Sequence, residues 1–170
     1  MRWLFWAEAL VAAALVAAPA QAETGCLMQA ATYVDTTTGL TINFRPAEPW
    51  EQVGMVKHVM EATLPDGQVL WGEISENMGT SRDEGRLFAG CPRPGPDDEW
   101  PTEEAQNACR AWEGVVYAIE GGIAGFTPAA DEPAPETLLF ADLGRQLRYA
   151  VYDGPEGEPW DQLVFSACRN

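Results

Sequence analysis

Two short segments of the chain combine a tryptophan with a carboxylate in the same local order. Glu-Pro-Trp-Glu-Gln-Val contains Trp50 and Glu51, and Glu-Pro-Trp-Asp-Gln-Leu contains Trp160 and Asp161. An indole ring can stack on a sugar ring while a neighbouring carboxylate accepts hydrogen bonds from its hydroxyl groups. The two corners are therefore candidate glycan-binding sites. The alternative interpretation is structural, in which proline turns the chain into a strand and the tryptophan covers the edge of the core.

Few other residues suggest catalysis. Glycoside hydrolysis needs two carboxyl groups at a defined separation, but acids are so frequent in this chain that neighbouring pairs arise from composition alone. The single histidine, His58, could serve a serine nucleophile, yet no Gly-x-Ser-x-Gly turn surrounds Ser75, Ser81 or Ser166. Phosphate-binding glycine motifs are also absent. The sequence therefore predicts no catalytic residue, and a hydrolase is the least favoured alternative.

Acidic loops leave one cofactor open. Residues 97–99 form an Asp-Asp-Glu run, and Asp153, Glu156, Glu158 and Asp161 form a second group. Oxygen ligands on flexible loops suit calcium, although neither group follows the order of an EF-hand loop. We expect solvated loops and no cofactor or metal, with weak calcium binding as the alternative.

Four cysteines, Cys26, Cys91, Cys109 and Cys168, contain no Cys-x-x-Cys pair. Structural zinc sites use close ligand pairs, so disulfides are favoured over zinc. Three pairings of four cysteines are possible. An internal repeat, described next, favours Cys26 with Cys91 and Cys109 with Cys168.

The evidence for a repeat is a set of residues that recurs at constant spacing. Gly67, Leu70, Phe88 and Cys91 stand at the same relative positions as Gly144, Leu147, Phe165 and Cys168. The simplest interpretation is two related halves, residues 26–91 and 109–168, each opened and closed by a cysteine. Chance recurrence in a β-rich chain is the alternative.

The first residues resemble an export signal. Arg2 is followed by a short apolar core at residues 9–18 and by Ala20-Gln21-Ala22, which is typical of a cleavage site. Residues 1–22 are thus predicted to be a signal peptide, too short to span a bilayer. We expect one disulfide-braced domain, residues 23–170, in the periplasm or secreted, without membrane insertion.

The formal net charge of −16 limits the partners. Such a charge repels the phosphates of nucleic acids and anionic lipids, so neither is expected to bind. The same charge would attract a basic protein. Acidity that serves only solubility is the simpler alternative.

Alternation of apolar residues predicts hairpins with turns at residues 36–39, 64–67 and 121–122, and a closing strand at 163–167. A proline-rich linker occupies residues 92–101, and Thr102 is expected to cap a short helix that ends at Gly114. Residues 137–152 are ambiguous, and the repeat favours a turn and strand there over a helix.

Together these patterns predict an all-β or β-dominated α+β domain, formed as an antiparallel two-sheet sandwich or barrel-like structure with one short helix. The expected function is non-catalytic binding of a cationic protein. Glycan or cell-wall binding at the tryptophan corners is the alternative.

Overall fold

The structure, a computed structural model, describes residues 25–79, 81–152, 154 and 157–169. The strands are β1 (Ala31–Val34), β2 (Thr41–Arg45), β3 (Val56–Thr63), β4 (Val69–Ser75), β5 (Glu84–Phe88), β6 (Arg110–Glu120), β7 (Ile123–Gly125), β8 (Thr137–Phe140) and β9 (Gln162–Cys168). The helices are α1 (Glu103–Cys109) and α2 (Leu143–Ala150), and a 3-10 turn spans Met28–Ala30.

Eight of these strands form a closed antiparallel barrel. The order is β1-β2-β3-β4-β5-β6-β8-β9, and β9 pairs with β1 to complete the circle. The short strand β7 pairs only with the far end of β6 and lies outside the ring. The β-dominated class and the barrel-like form are confirmed, whereas the strands form one closed sheet and not a sandwich of two.

Side chains fill the barrel, as expected for eight strands. Alternate residues point inward, so Ile42 and Phe44 of β2 are buried while their neighbours are partly exposed. The largest fully buried side chains include Tyr33, Trp112 and Phe140. The two edge-to-face aromatic contacts Tyr33–Phe44 and Trp112–Phe140 lie within this core.

The predicted hairpins are confirmed. Strands β1 and β2, β3 and β4, and β6 and β7 pair in antiparallel register. At the last of these turns, Gly121 and Gly122 have φ angles of 54° and 80°, which a two-residue type I′ turn requires and which glycine adopts without strain.

The helices differ from expectation. Thr102 caps α1 as predicted, since its Oγ1 accepts a hydrogen bond from the Ala105 amide at 3.3 Å. The helix ends at Cys109 and does not extend to Gly114, because residues 110–120 join the barrel as strand β6. Residues 143–150 form α2, so the strand expected there is wrong.

Helix α2 also argues against the proposed internal repeat. Leu70 lies in strand β4, whereas its supposed equivalent Leu147 lies in helix α2. Two related halves are therefore not supported by equivalent elements.

Both disulfides form, but with pairings other than those favoured by the repeat. Cys26 bonds Cys168, and Cys91 bonds Cys109. Barrel closure explains the first, because the start of β1 pairs with the end of β9, where Ala31 faces Cys168. Pairing of β5 with β6 explains the second, since it brings the two ends of the connecting segment together.

The barrel has two ends with different loops. The helix end carries the connections at residues 35–40, 64–68, 89–109, 141–152 and 157–161. The cleft end carries residues 25–30, 46–55, 76–79, 81–83 and 121–136. The predicted signal peptide, residues 1–22, lies outside the described residues. None of the helices in the described ranges is long and apolar enough to cross a membrane.

Close packing inside the barrel makes a sharp prediction at Gly85. A Cβ atom there would lie 2.7 Å from Trp112 and 2.9 Å from Val116, both buried in the core. Gly85→Ala should therefore lower the free energy of unfolding by about 2 kcal/mol in urea denaturation. Gly125→Ala, with open space around the new methyl group, is the matched control and should change little. Equal stabilities for the two variants would contradict the described packing.

Candidate functional site

The two tryptophan corners lie at opposite ends of the barrel. Trp50 and Glu51 follow β2 at the cleft end, whereas Trp160 and Asp161 precede β9 at the helix end. The register places the start of β9 beside the end of β1, where Val164 pairs with Val34. The indoles remain 37% and 64% exposed, respectively, but they cannot form one surface.

Glu51 is already bound by the protein's own groups. Arg45 donates two hydrogen bonds to its carboxylate at 2.6 and 2.7 Å, and the Glu48 amide donates a third at 2.9 Å. Arg93 adds a second ion pair, and Glu51 is only 3% exposed. Burial alone would raise the pKa of Glu51, but these hydrogen bonds and both guanidinium charges outweigh burial and lower it.

Asp161 has a structural role at the start of α2. Its carboxylate accepts hydrogen bonds from the amides of Asp142 at 2.8 Å and Gly144 at 3.1 Å. These amides lie at the helix N-terminus, where backbone donors lack partners within the helix. Neither Glu51 nor Asp161 is therefore free to accept a hydrogen bond from a sugar.

A strap, residues 89–102, runs from β5 to α1 and is anchored on the outside of the barrel. The Trp71 indole donates to the Cys91 carbonyl at 3.0 Å and stacks on Phe88, with ring centroids 4.2 Å apart. The Arg93 guanidinium lies 5.6 Å from the centroid of the Trp71 ring while it pairs with Glu51. Arg93 thus connects the strap to the loop that carries Trp50.

A buried polar network ties three segments together at the cleft end. The Lys57 ammonium lies 3.2 Å from the Asp83 carboxylate and also donates to the Thr127 carbonyl. The same carboxylate accepts from the amide and the hydroxyl of Thr127 at 2.9 and 2.6 Å. Strand β3, the start of β5 and the segment after β7 are therefore held in fixed relative positions.

His58 lies next to this network with its ring almost fully buried. It is 2% exposed and packs edge-to-face on Phe44, with centroids 5.7 Å apart. Neither ring nitrogen completes a hydrogen bond of normal geometry with the described residues, although the Pro128 carbonyl favours the protonated form. Burial, followed by the charge of Lys57, lowers the pKa of His58 to about 4, so the ring is neutral at neutral pH.

A cleft of about 140 Å³ opens beside the network. Lys57 and Asp83 form part of its wall, and the remaining lining residues are Glu76, Asn77, Gly79, Ser81 and Phe126. Glu76 makes no ion pair in the described part of the chain. Sequence reasoning considered Ser81 and His58 only for catalysis and missed Lys57, Asp83 and Thr127, because no local pattern connects them.

Exposed apolar side chains surround the cleft end. Met55, Met78, Ile123 and Phe126 are 41%, 78%, 77% and 51% exposed. Glu76 is held beside the first of these, since its amide donates to the Met55 carbonyl at 2.9 Å. We call these four side chains the apolar rim.

Three of the proposed calcium ligands are used in other ways. Asp98 accepts from the Gly95 amide at 2.7 Å, Asp161 holds α2, and Glu158 lies near Arg148. Over the described ranges, no three His, Cys, Asp or Glu side chains are grouped to hold a metal ion. Asp153 and Glu156 fall outside those ranges.

Comparison with protein-family models, with curated proteins and with solved structures found no match to this chain.

The buried His58 predicts acid sensitivity of a defined size. The pKa of His58 is lower in the folded state than its ordinary value of 6.5. Between about pH 4 and pH 6.5 the unfolded chain therefore binds a proton at His58 that the folded chain does not bind. Stability is then lost as pH falls from about 6.5 towards about 4, by about 3 kcal/mol in total. His58→Leu should remove this component, measured as the difference between urea unfolding free energies near pH 7 and pH 4. An unchanged pH profile in the variant would contradict the burial of a neutral ring.

The double ion pair at Glu51 predicts a structural rather than a binding role. Glu51→Gln should lower the free energy of unfolding by about 2 kcal/mol at neutral pH, because Arg45 and Arg93 would lose the buried carboxylate with which both form ion pairs. The matched control, Glu48→Gln, replaces an exposed carboxylate of the same loop and should change stability by less than about 0.5 kcal/mol. Equal effects on urea denaturation would argue against the buried pairs. Since the pKa of Glu51 is lowered, the wild-type advantage should shrink as pH falls below its ordinary value of 4.5.

Proposed function

We propose that this protein is an exported, non-catalytic binding module whose partner is a cationic protein, in the periplasm or outside the cell. The two disulfides support an oxidising compartment, because such bonds persist there and are rare in reducing ones. Large buried side chains fill the barrel interior where the structure describes it, so binding is assigned to the outer surface and the loops.

The observation that carries the proposal is how the charges are distributed. Seven of the basic side chains pair with carboxylates of the same chain: Arg45, Lys57, Arg86, Arg93, Arg110, Arg145 and Arg148. Arg82 instead stacks over Tyr117 and Phe126. The protein's cations are thus largely neutralised by their neighbours.

Many exposed acids have no such neighbour. Carboxylates without an ion pair to any described residue include Asp97, Glu99, Glu103, Glu104, Glu120 and Asp131. These exposed carboxylates, in loops, in α1 and at the end of β6, contribute to the net charge of −16. A field of this kind accelerates encounter with a positively charged protein and disfavours anionic partners.

Glycan binding has weaker support at the tryptophan corners. The carboxylates that would accept sugar hydroxyls, Glu51 and Asp161, are engaged within the protein. Trp160 is largely exposed. Stacking of a sugar on this indole at the helix end is therefore the alternative that the experiment must distinguish from binding of a cationic protein.

The test is capture from secreted and envelope fractions by the disulfide-bonded protein, followed by measurement with the purified captured protein. We expect basic proteins to bind at low salt. Their affinity should fall at least about tenfold as the ionic strength rises from about 0.01 to 1 M, because the Debye screening length decreases from about 30 to about 3 Å. The double variant Trp50→Ala with Trp160→Ala should bind equally well. Capture of cell-wall material at both salt concentrations, lost in that variant, would instead establish the glycan alternative. Capture of neither would contradict the proposal.

A further inference from the structure

We propose that the cleft at the cleft end of the barrel receives one lysine or arginine side chain of the cationic partner. This inference rests on the proposed function and gives it a specific contact. It is carried by the charge of the cleft, by its size and by the apolar rim at the same end of the barrel.

The charge of the cleft is negative once internal pairing is considered. Lys57 and Asp83 pair with each other, so they contribute little net charge to an incoming group. Glu76 lines the same cleft and has no cation partner among the described residues. Carboxylate and hydroxyl oxygens, such as those of Glu76 and Ser81, can accept hydrogen bonds from an ammonium or guanidinium group.

The neighbouring arginine, Arg82, is directed away from this position. Arg82 lies between two lining residues in sequence but is not among the described lining side chains. Its guanidinium lies over Tyr117 at 6.0 Å and over Phe126 at 5.7 Å. Among the described lining residues, Lys57 is the one cation, and it is already paired with Asp83.

The size of the cleft suits one long side chain. About 140 Å³ is smaller than the roughly 300–1,000 Å³ typical of sites for drug-sized ligands. A lysine or arginine side chain also has an apolar stem, which can pack on the Phe126 ring while its charged end reaches Glu76.

The apolar rim provides exposed apolar surface of the kind found at protein–protein interfaces. Exposed Met and Phe side chains are enriched at protein interfaces, and exclusion of water around a central charged pair strengthens that pair. Met78 and Ile123 are the most exposed members of the rim, at 78% and 77%. A partner that covers this end of the barrel would bury Glu76 together with the inserted side chain.

The wall of the cleft is also preorganised. Asp83 is 2% exposed and held by Lys57 and by two groups of Thr127. Because these three segments are already fixed before binding, less conformational entropy is lost when the partner binds.

The probe for the test is N-acetyl-arginine amide, with N-acetyl-norleucine amide as the uncharged control. Titration into the intact disulfide-bonded protein, followed by amide NMR, should shift Gly79, Ser81 and Phe126 in a saturable manner, with affinity in about the millimolar range. Glu76→Gln should weaken binding about fivefold, and Ser81→Leu, which fills the cleft, should abolish it. The matched variant Glu104→Gln makes the same charge change on α1 and should bind the probe like the wild type. Thermal unfolding of each variant checks that the fold is retained.

The outcomes separate this inference from the proposed function. If the captured basic protein binds wild type, Glu76→Gln and Ser81→Leu equally well, the cleft inference is wrong while the binding function stands. If the arginine probe binds at the cleft but no basic protein is captured, the proposed function is wrong and the cation-binding cleft remains. Equal NMR shifts from the norleucine probe, or shifts spread over the acidic surface, would overturn the inference.

Discussion

Pairing of β5 with β6 is the interaction on which the rest of the structure depends. It runs from Glu84 opposite Val115 to Phe88 opposite Arg110 and closes eight strands into a ring. Closure leaves the ring without a free edge and seals Trp112 inside it, against Gly85. The same pairing brings Cys91 and Cys109 within bonding distance and sets where the strap leaves the barrel.

Charge has two uses in this molecule. Buried or partly buried pairs, such as Arg93 with Glu51 and Lys57 with Asp83, fix loops at defined positions. Because ion pairs, buried and exposed together, use seven of the ten basic side chains, the large excess of acids is left on the outer surface. Internal pairing and an acidic exterior are thus consequences of one composition, in which carboxylates outnumber cations. The cleft combines both, since the Lys57–Asp83 pair forms part of its wall and Glu76, which has no ion pair with any described residue, lines it as well.

The candidate site was only partly predictable. The tryptophan corners were visible as a repeated hexapeptide, but their carboxylates turned out to hold Arg45 and the start of α2. The network beside the cleft gives no sequence signal, because Lys57 and Asp83 are 26 residues apart and Asp83 and Thr127 are 44 apart. Such residues meet only through the barrel, so no local spacing could have identified them.

Local patterns in the amino-acid sequence were sufficient to predict the hairpins, the capped start of α1 and the acidic charge, because alternation, turn glycines and side-chain capping act over a few residues. The disulfide pairing and the helix at residues 143–150 follow instead from the folded arrangement of the whole barrel. Cys26 meets Cys168 because the first and last strands are neighbours in a closed ring. Residues 143–150 become helical where Asp161, distant in sequence, supplies the acceptors for their first amides. These outcomes depend on contacts between distant segments, which local sequence patterns do not record.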